Sequence, residues 1–163
     1  MSTPCDFPEG LRKTNLSVLI ASGLGFGFLP MAPGTWGSLV ALPLAWSAWA
    51  VAGRWGVLVA AAIIFAAGTV AVGSALRNSN VRDPSWVVID EIAAQCLVLA
   101  PFLPDPMTYG LGFILFRAAD ILKPWPAFWI DRHMTGAFGA MLDDLVAALY
   151  ALILLFPAME YLR

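Results

Sequence analysis

The chain has 163 residues, 60% of them hydrophobic and 12% charged, with a formal net charge of −2 at pH 7 and a mean hydropathy of +0.79. A soluble domain averages about 45–50% apolar and about 25% charged residues. This composition therefore excludes an ordinary soluble globular protein and indicates an integral membrane protein of one domain, residues 1–163. No basic run suggests nucleic acid, and the two cysteines, Cys5 and Cys96, form neither a disulfide framework nor a metal spacing.

Met1–Lys13 reads as a polar tail, acidic and proline-containing, so a cleaved signal peptide is not expected. Thr14–Gly53 holds no charge, but Gly23, Gly25, Gly27, Pro30, Pro33, Gly34 and Gly37 interrupt it, a density that one helix tolerates poorly. It divides into a short re-entrant or interfacial helix (Leu16–Leu29), a loop (Pro30–Gly37) and a first span (Ser38–Ala52). Gly56–Leu76 is a second span, 21 residues without a charge, against the roughly 20 that a crossing needs. After a polar loop, Arg77–Ser85, a third span covers Trp86–Leu103 and opens with Asp90 and Glu91. A turn at Pro104–Pro106 leads to a fourth, Met107–Leu122, stopped by Pro124 because proline disfavours helix in the residue before it. Lys123–Thr135 is a loop, and Gly136–Phe156 is the fifth span. The expected fold is an all-α integral membrane protein with about five transmembrane helices plus the short N-terminal one.

Five spans put the N-terminal tail, Arg77–Ser85 and Lys123–Thr135 on one side. That side carries Arg12, Lys13, Arg77, Arg82, Lys123 and Arg132; the other carries Arg54 and Arg163. The excess marks the first side as cytoplasmic. The loop before span one, Asp90–Glu91, Arg117–Lys123 and Asp143–Asp144 all then fall toward that face. Ionisable groups beside membrane-length apolar segments are functional candidates by default.

Asp90–Glu91 and Asp143–Asp144 are adjacent carboxylate pairs on expected helices. Neighbours on a helix diverge by about 100°, so one member of each pair is expected to face a shared metal. Mg²⁺ takes one or two carboxylates plus water and substrate phosphate; the plainer reading is helix N-terminal acids favoured by the macrodipole. Arg117, Asp120 and Lys123, at i, i+3 and i+6, share one helix face. Arg117 can fork onto phosphate and Lys123 act as a point charge, while Asp120 either pairs with them or joins the metal. The plainer alternative is an internal salt bridge with Lys123 snorkelling to the headgroups. Pro33–Ser38 offers the Thr35 and Ser38 hydroxyls and backbone N–H groups that can cradle an anion, or is simply a turn with Ser38 as N-cap. His133 is a candidate general acid or a solvated loop histidine. Trp86, Trp125 and Trp129 suit a membrane-interface belt.

Absences narrow the chemistry. Six residues after Cys5, where a thiol phosphatase carries arginine, stands Leu11. There is no Asp-x-Asp opening, no Lys-x6-Arg-Pro element and no P-loop, which leaves metal-assisted phosphate chemistry.

Several stretches together form an ordered signature. They are Ser22-Gly23-Leu24-Gly25 leading to Pro30 and Ala32–Leu39; Asp83 and Val88-Ile89-Asp90-Glu91; Phe116-Arg117, Asp120 and Lys123-Pro124-Trp125-Pro126; Asp131-Arg132; and Gly136, Gly139 and Asp143-Asp144. In them the chain resembles the phosphatidylglycerophosphatase A family over most of its length, departing in Ala93–Ala94, where a glycine is expected nearby. The resemblance implies an all-helical, Mg²⁺-dependent lipid phosphatase of the bacterial inner membrane. Such an enzyme hydrolyses phosphatidylglycerophosphate to phosphatidylglycerol and inorganic phosphate. The expected metal ligands are drawn from Asp90, Glu91, Asp143 and Asp144, with Asp120 completing the catalytic acids and Arg117, Lys123, Thr35 and Ser38 holding phosphate. The competing readings are a membrane transporter or ion-binding protein, and a Mg²⁺-dependent lipid phosphotransferase. A transporter places its site at the bilayer midplane, whereas these charges gather at one face.

Overall fold

Helix is the only regular structure among the residues that the computed structural model describes, Phe7 and residues 12–77, 84–134 and 136–162. The order is α1 (Leu16–Ala21), a 3₁₀ turn (Phe26–Phe28), α2 (Pro33–Ala75), α3 (Ile89–Leu99), α4 (Pro106–Leu122), α5 (Ala127–His133) and α6 (Ala137–Tyr161). Arg82, Asp83, Thr135 and Cys5 lie outside the described residues.

The 43 residues of α2 are two helices end to end. Ala52 (φ −143°, ψ 24°) and Gly53 (φ 59°, ψ −152°) break the helical geometry, at the boundary expected between the first two spans. The left-handed φ suits Gly53, which has no Cβ to clash. The start of α2 differs from expectation. The helix begins at Pro33, whose fixed φ and missing N–H suit a first helical turn, so most of the expected loop is helical. Ser38 is accordingly interior rather than an N-cap, its hydroxyl donating to Gly34 O at 3.0 Å.

Burial in α2 falls on small residues. Gly34, Ser38, Ala41 and Ala45 in its first half, and Ala61, Gly68, Ala71 and Ala75 in its second, face inward, while Trp46, Val51, Trp55, Val59, Ile63 and Val70 are exposed. Small inward residues let helix backbones approach closely, as in membrane helix packing, and a large apolar outer surface marks a face that meets something other than water. α2 and α6 are both long and apolar enough to cross a membrane.

α3 is the centre of the bundle, packing chiefly against α2 and α6, and α4 packs on α6. Nine of its 11 residues are buried, and at about 1.5 Å per residue it is much shorter than the roughly 30 Å hydrocarbon layer. The alanines at 93 and 94 sit at 1% and 0% exposure, small enough for neighbouring helices to close over them. The glycine-rich segment after α1 packs against the entry to α3: Val88 N donates to Ala21 O at 3.0 Å, and a Cβ on Gly27 would lie 1.9 Å from Trp86 O. Trp86 is fully buried, with Phe7 and Phe28 against its ring. It is therefore a core residue and not part of an interface belt; Trp125 and Trp129 are exposed. The expected loop after α4 also contains the short helix α5.

Candidate active site

Four segments deliver their polar residues to one end of the bundle. The start of α2 contributes Ala32, Pro33 and Gly34; the entry and first turn of α3 contribute Ser85, Val87, Asp90 and Glu91. The end of α4 contributes Arg117, Asp120 and Lys123, and the start of α6 contributes Gly139, Ala140, Asp143 and Asp144. With neighbouring residues they line a cavity of about 380 Å³.

The five acids sort into two groups. One carboxylate oxygen each from Asp90, Glu91 and Asp144 lies within 4.8 Å of the others. Adjacent residues diverge around a helix, yet Asp90 and Glu91 both reach this point, because the longer glutamate side chain bridges the angular gap. Asp90 is further fixed by the N–H of Glu91, which donates to its Oδ1 at 3.0 Å. Asp120 and Asp143 instead hold cations. Asp120 Oδ2 lies 2.5 Å from Arg117 Nη1, and Asp143 Oδ2 lies 2.6 Å from Lys123 Nζ.

The i, i+3, i+6 spacing brings Arg117, Asp120 and Lys123 to the cavity by two routes. Arg117 and Asp120 come from helix periodicity. Lys123 sits at the C-cap of α4 in the left-handed conformation (φ 42°), which turns the chain and carries its ammonium across to α6. Arg117 Nη1 also lies 3.9 Å from Glu91 Oε1 and 3.5 Å from Ser38 Oγ. Ser38 is thus buried behind the arginine, and neither it nor Thr35 lines the cavity; among the described residues the hydroxyl that does is Ser85. His133 also lies away from the lining, stacked on Trp129 with its Nδ1 2.9 Å from Trp129 O.

Close backbone approach makes the room. A Cβ on Gly34 would meet Glu91 Oε1 at 2.0 Å, and one on Gly139 would meet Met134 O at 2.5 Å. The sequence points to both glycines only as parts of a pattern; the role of Gly34 appears once α2 and α3 lie against each other, and that of Gly139 once the start of α6 folds against Met134. Ser85, Met134 and Ala140 carry no sequence signal at all.

Three clustered carboxylates beside two anchored cations are an arrangement that could hold a hard cation and an oxyanion together. The donor set is all oxygen, as Mg²⁺ prefers, and Glu91 Oε2 is buried without a hydrogen-bond partner among the described residues. The fold and site therefore define an apolar helical protein with a carboxylate-and-cation pocket at one end, suited to phosphate chemistry. The chain belongs to the phosphatidylglycerophosphatase A family, whose model matches residues 19–159. It is 36% identical over 144 residues to phosphatidylglycerophosphatase A of Haemophilus influenzae, covering 88% of each chain. It is 33% identical over 139 residues to the protein of that name in Escherichia coli, covering 84% of this chain and 80% of the relative. A relative from Bacteroides thetaiotaomicron, 32% identical over 157 residues, covering 88% of this chain and 94% of its own, is provisionally named a phosphatidylinositol-3-phosphatase. No solved structure matches the chain.

Proposed function

We propose that this protein hydrolyses the terminal phosphomonoester of phosphatidylglycerophosphate, releasing phosphatidylglycerol and inorganic phosphate. The reading rests above all on the convergence of Asp90, Glu91 and Asp144 with Arg117 and Lys123 around one cavity. Membership of the phosphatidylglycerophosphatase A family supplies the substrate class.

Asp90, Glu91 and Asp144 would hold Mg²⁺, and the fit is good because all three offer hard oxygen atoms at one point. When bound, the ion supplies Lewis-acid polarisation of the phosphoryl group and favours ionisation of the attacking water. Arg117 and Lys123 bind the non-bridging phosphoryl oxygens and offset the charge that redistributes as the ester bond breaks. Asp120 and Asp143 aim those cations, which lowers the cost of ordering two long side chains when substrate arrives. Ser38 buttresses Arg117 from behind, and Ser85 is placed to hydrogen-bond the headgroup. The lipid's acyl chains stay in the bilayer while its headgroup enters the cavity.

We further infer that the chain lies in the bacterial cytoplasmic membrane, crossing it with five helical segments. These are the two halves of α2, the buried α3, then α4 and α6. Backbone that is wrapped in protein can be short at membrane depth, which accommodates α3. The Lys and Arg distribution supports a cavity at the cytoplasmic face.

The test is phosphate release from phosphatidylglycerophosphate by detergent-purified protein, with Mg²⁺ and with EDTA. Release with Mg²⁺ that EDTA abolishes is expected. Folded protein that releases no phosphate would overturn the reading, and metal-independent release would overturn the metal assignment.

A further inference from the structure

Among the described residues, Glu91 is one of several with a buried polar atom that lacks a hydrogen-bond partner. Its Oε2 is buried without a hydrogen-bond partner among the described residues, and so are Arg117 Nε and both amide atoms of Gln95. Gln95 is fully buried in α3, four residues beyond Glu91. The two side chains therefore share a helix face, with Cβ atoms about 5–6 Å apart. The two side chains make no direct hydrogen bond, and one internal water is the size of bridge that such a spacing takes. The polarity also matches, because Gln95 offers two N–H donors and a carbonyl acceptor while Glu91 Oε2 needs a donor. A buried amide is costly unless hydrogen-bonded. Glu91 lines the cavity but Gln95 does not, so any effect of Gln95 on the chemistry must pass through another residue.

We propose that Gln95 is a positioning residue for the phosphatase site. Its Nε2–H holds Glu91 Oε2 through one buried water, since the two atoms do not bond each other directly. That bond fixes the carboxylate's rotation, so that its ligand oxygen stays beside Asp90 and Asp144. The proposal rests on the reading of those three acids as the metal-binding group. It explains why the core helix of an apolar bundle carries a primary amide one turn below the site.

The test replaces Gln95 by apolar side chains of similar size, Gln95→Met and Gln95→Leu, in the full-length protein. Loss of an amide that serves nothing would leave turnover unchanged and raise the thermal midpoint. A positioning amide gives the opposite pattern. The kcat for phosphate release falls about 10- to 100-fold, KM for the lipid moves little, and the thermal midpoint is not lowered. A second readout needs no turnover, namely the Mg²⁺ concentration that gives half of the metal-induced rise in thermal midpoint. It is expected to increase by about 10- to 100-fold in both variants. Gln95→Glu, which sets a second carboxylate against Glu91, should shift it at least as far. Wild-type kcat and wild-type Mg²⁺ response in either apolar variant would overturn the proposal, as would a loss of kcat that only tracks a fall in thermal midpoint. Failure of the wild-type protein to release phosphate or to respond to Mg²⁺ is a separate result, and overturns the underlying reading instead.

Discussion

Gly34→Ala should separate activity from stability. A Cβ at this position would lie 2.0 Å from Glu91 Oε1, and ordinary van der Waals contact begins at 3.4 Å, so the carboxylate oxygen must retreat by 1.4 Å. It can do so, because it is the far end of a flexible side chain. The fold should survive, and alanine in place of glycine favours a helix by up to about 1 kcal/mol. The site should not, since a misplacement of about 1 Å can cost about 100-fold in rate, equivalent to about 2.7 kcal/mol of transition-state stabilisation. The expected result is a fall in kcat of about 100-fold with no drop in thermal midpoint, read by phosphate release and thermal unfolding on one preparation. Gly27→Ala is the matched control. Its Cβ would lie 1.9 Å from the Trp86 carbonyl oxygen, where backbone has to yield, so it should lose about 1–3 kcal/mol of stability. Wild-type kcat in Gly34→Ala would refute the assignment of Glu91 to the chemistry. Equal destabilisation by both substitutions would refute the distinction between a yielding side chain and an unyielding backbone.

Two further outcomes test other parts of the site and core. Asp143→Ala removes the carboxylate 2.6 Å from Lys123 Nζ, and loss of that aim should cut phosphate release about 100-fold or more while the protein still inserts into the membrane; near-normal activity would count against the site. Trp86→Ala should cost about 3–5 kcal/mol in an unfolding measurement, as expected for a fully buried ring packed on Phe7 and Phe28. An interfacial tryptophan would cost far less.

Much of this molecule is legible in its sequence, because some features depend only on local order along the chain. Charge-free apolar runs report helices that need no water-facing side, and the break at Ala52–Gly53 follows from a glycine between two such runs. The spacing of Arg117, Asp120 and Lys123, and the acid pairs at the starts of α3 and α6, likewise mark the polar end of the bundle before any packing is known. Which acid does what is a different kind of question. Helix periodicity alone separates Asp90 from Glu91, yet side-chain length brings both to Asp144, and Asp143 is drawn to Lys123 by a left-handed turn at the end of a different helix. Pro33–Ser38 reads as an anion-cradling loop or a capped turn, but the segment is helical from Pro33, and its glycines serve the close approach of α3. Trp86 reads as a membrane-interface residue, and the glycine-rich segment wraps it into the core. In each case the deciding contact joins residues far apart in the chain, where only tertiary packing sets the distance. The sequence by itself determines the all-helical character, the apolar class and the family. The tertiary structure alone decides that three carboxylates share a point and two others hold the cations.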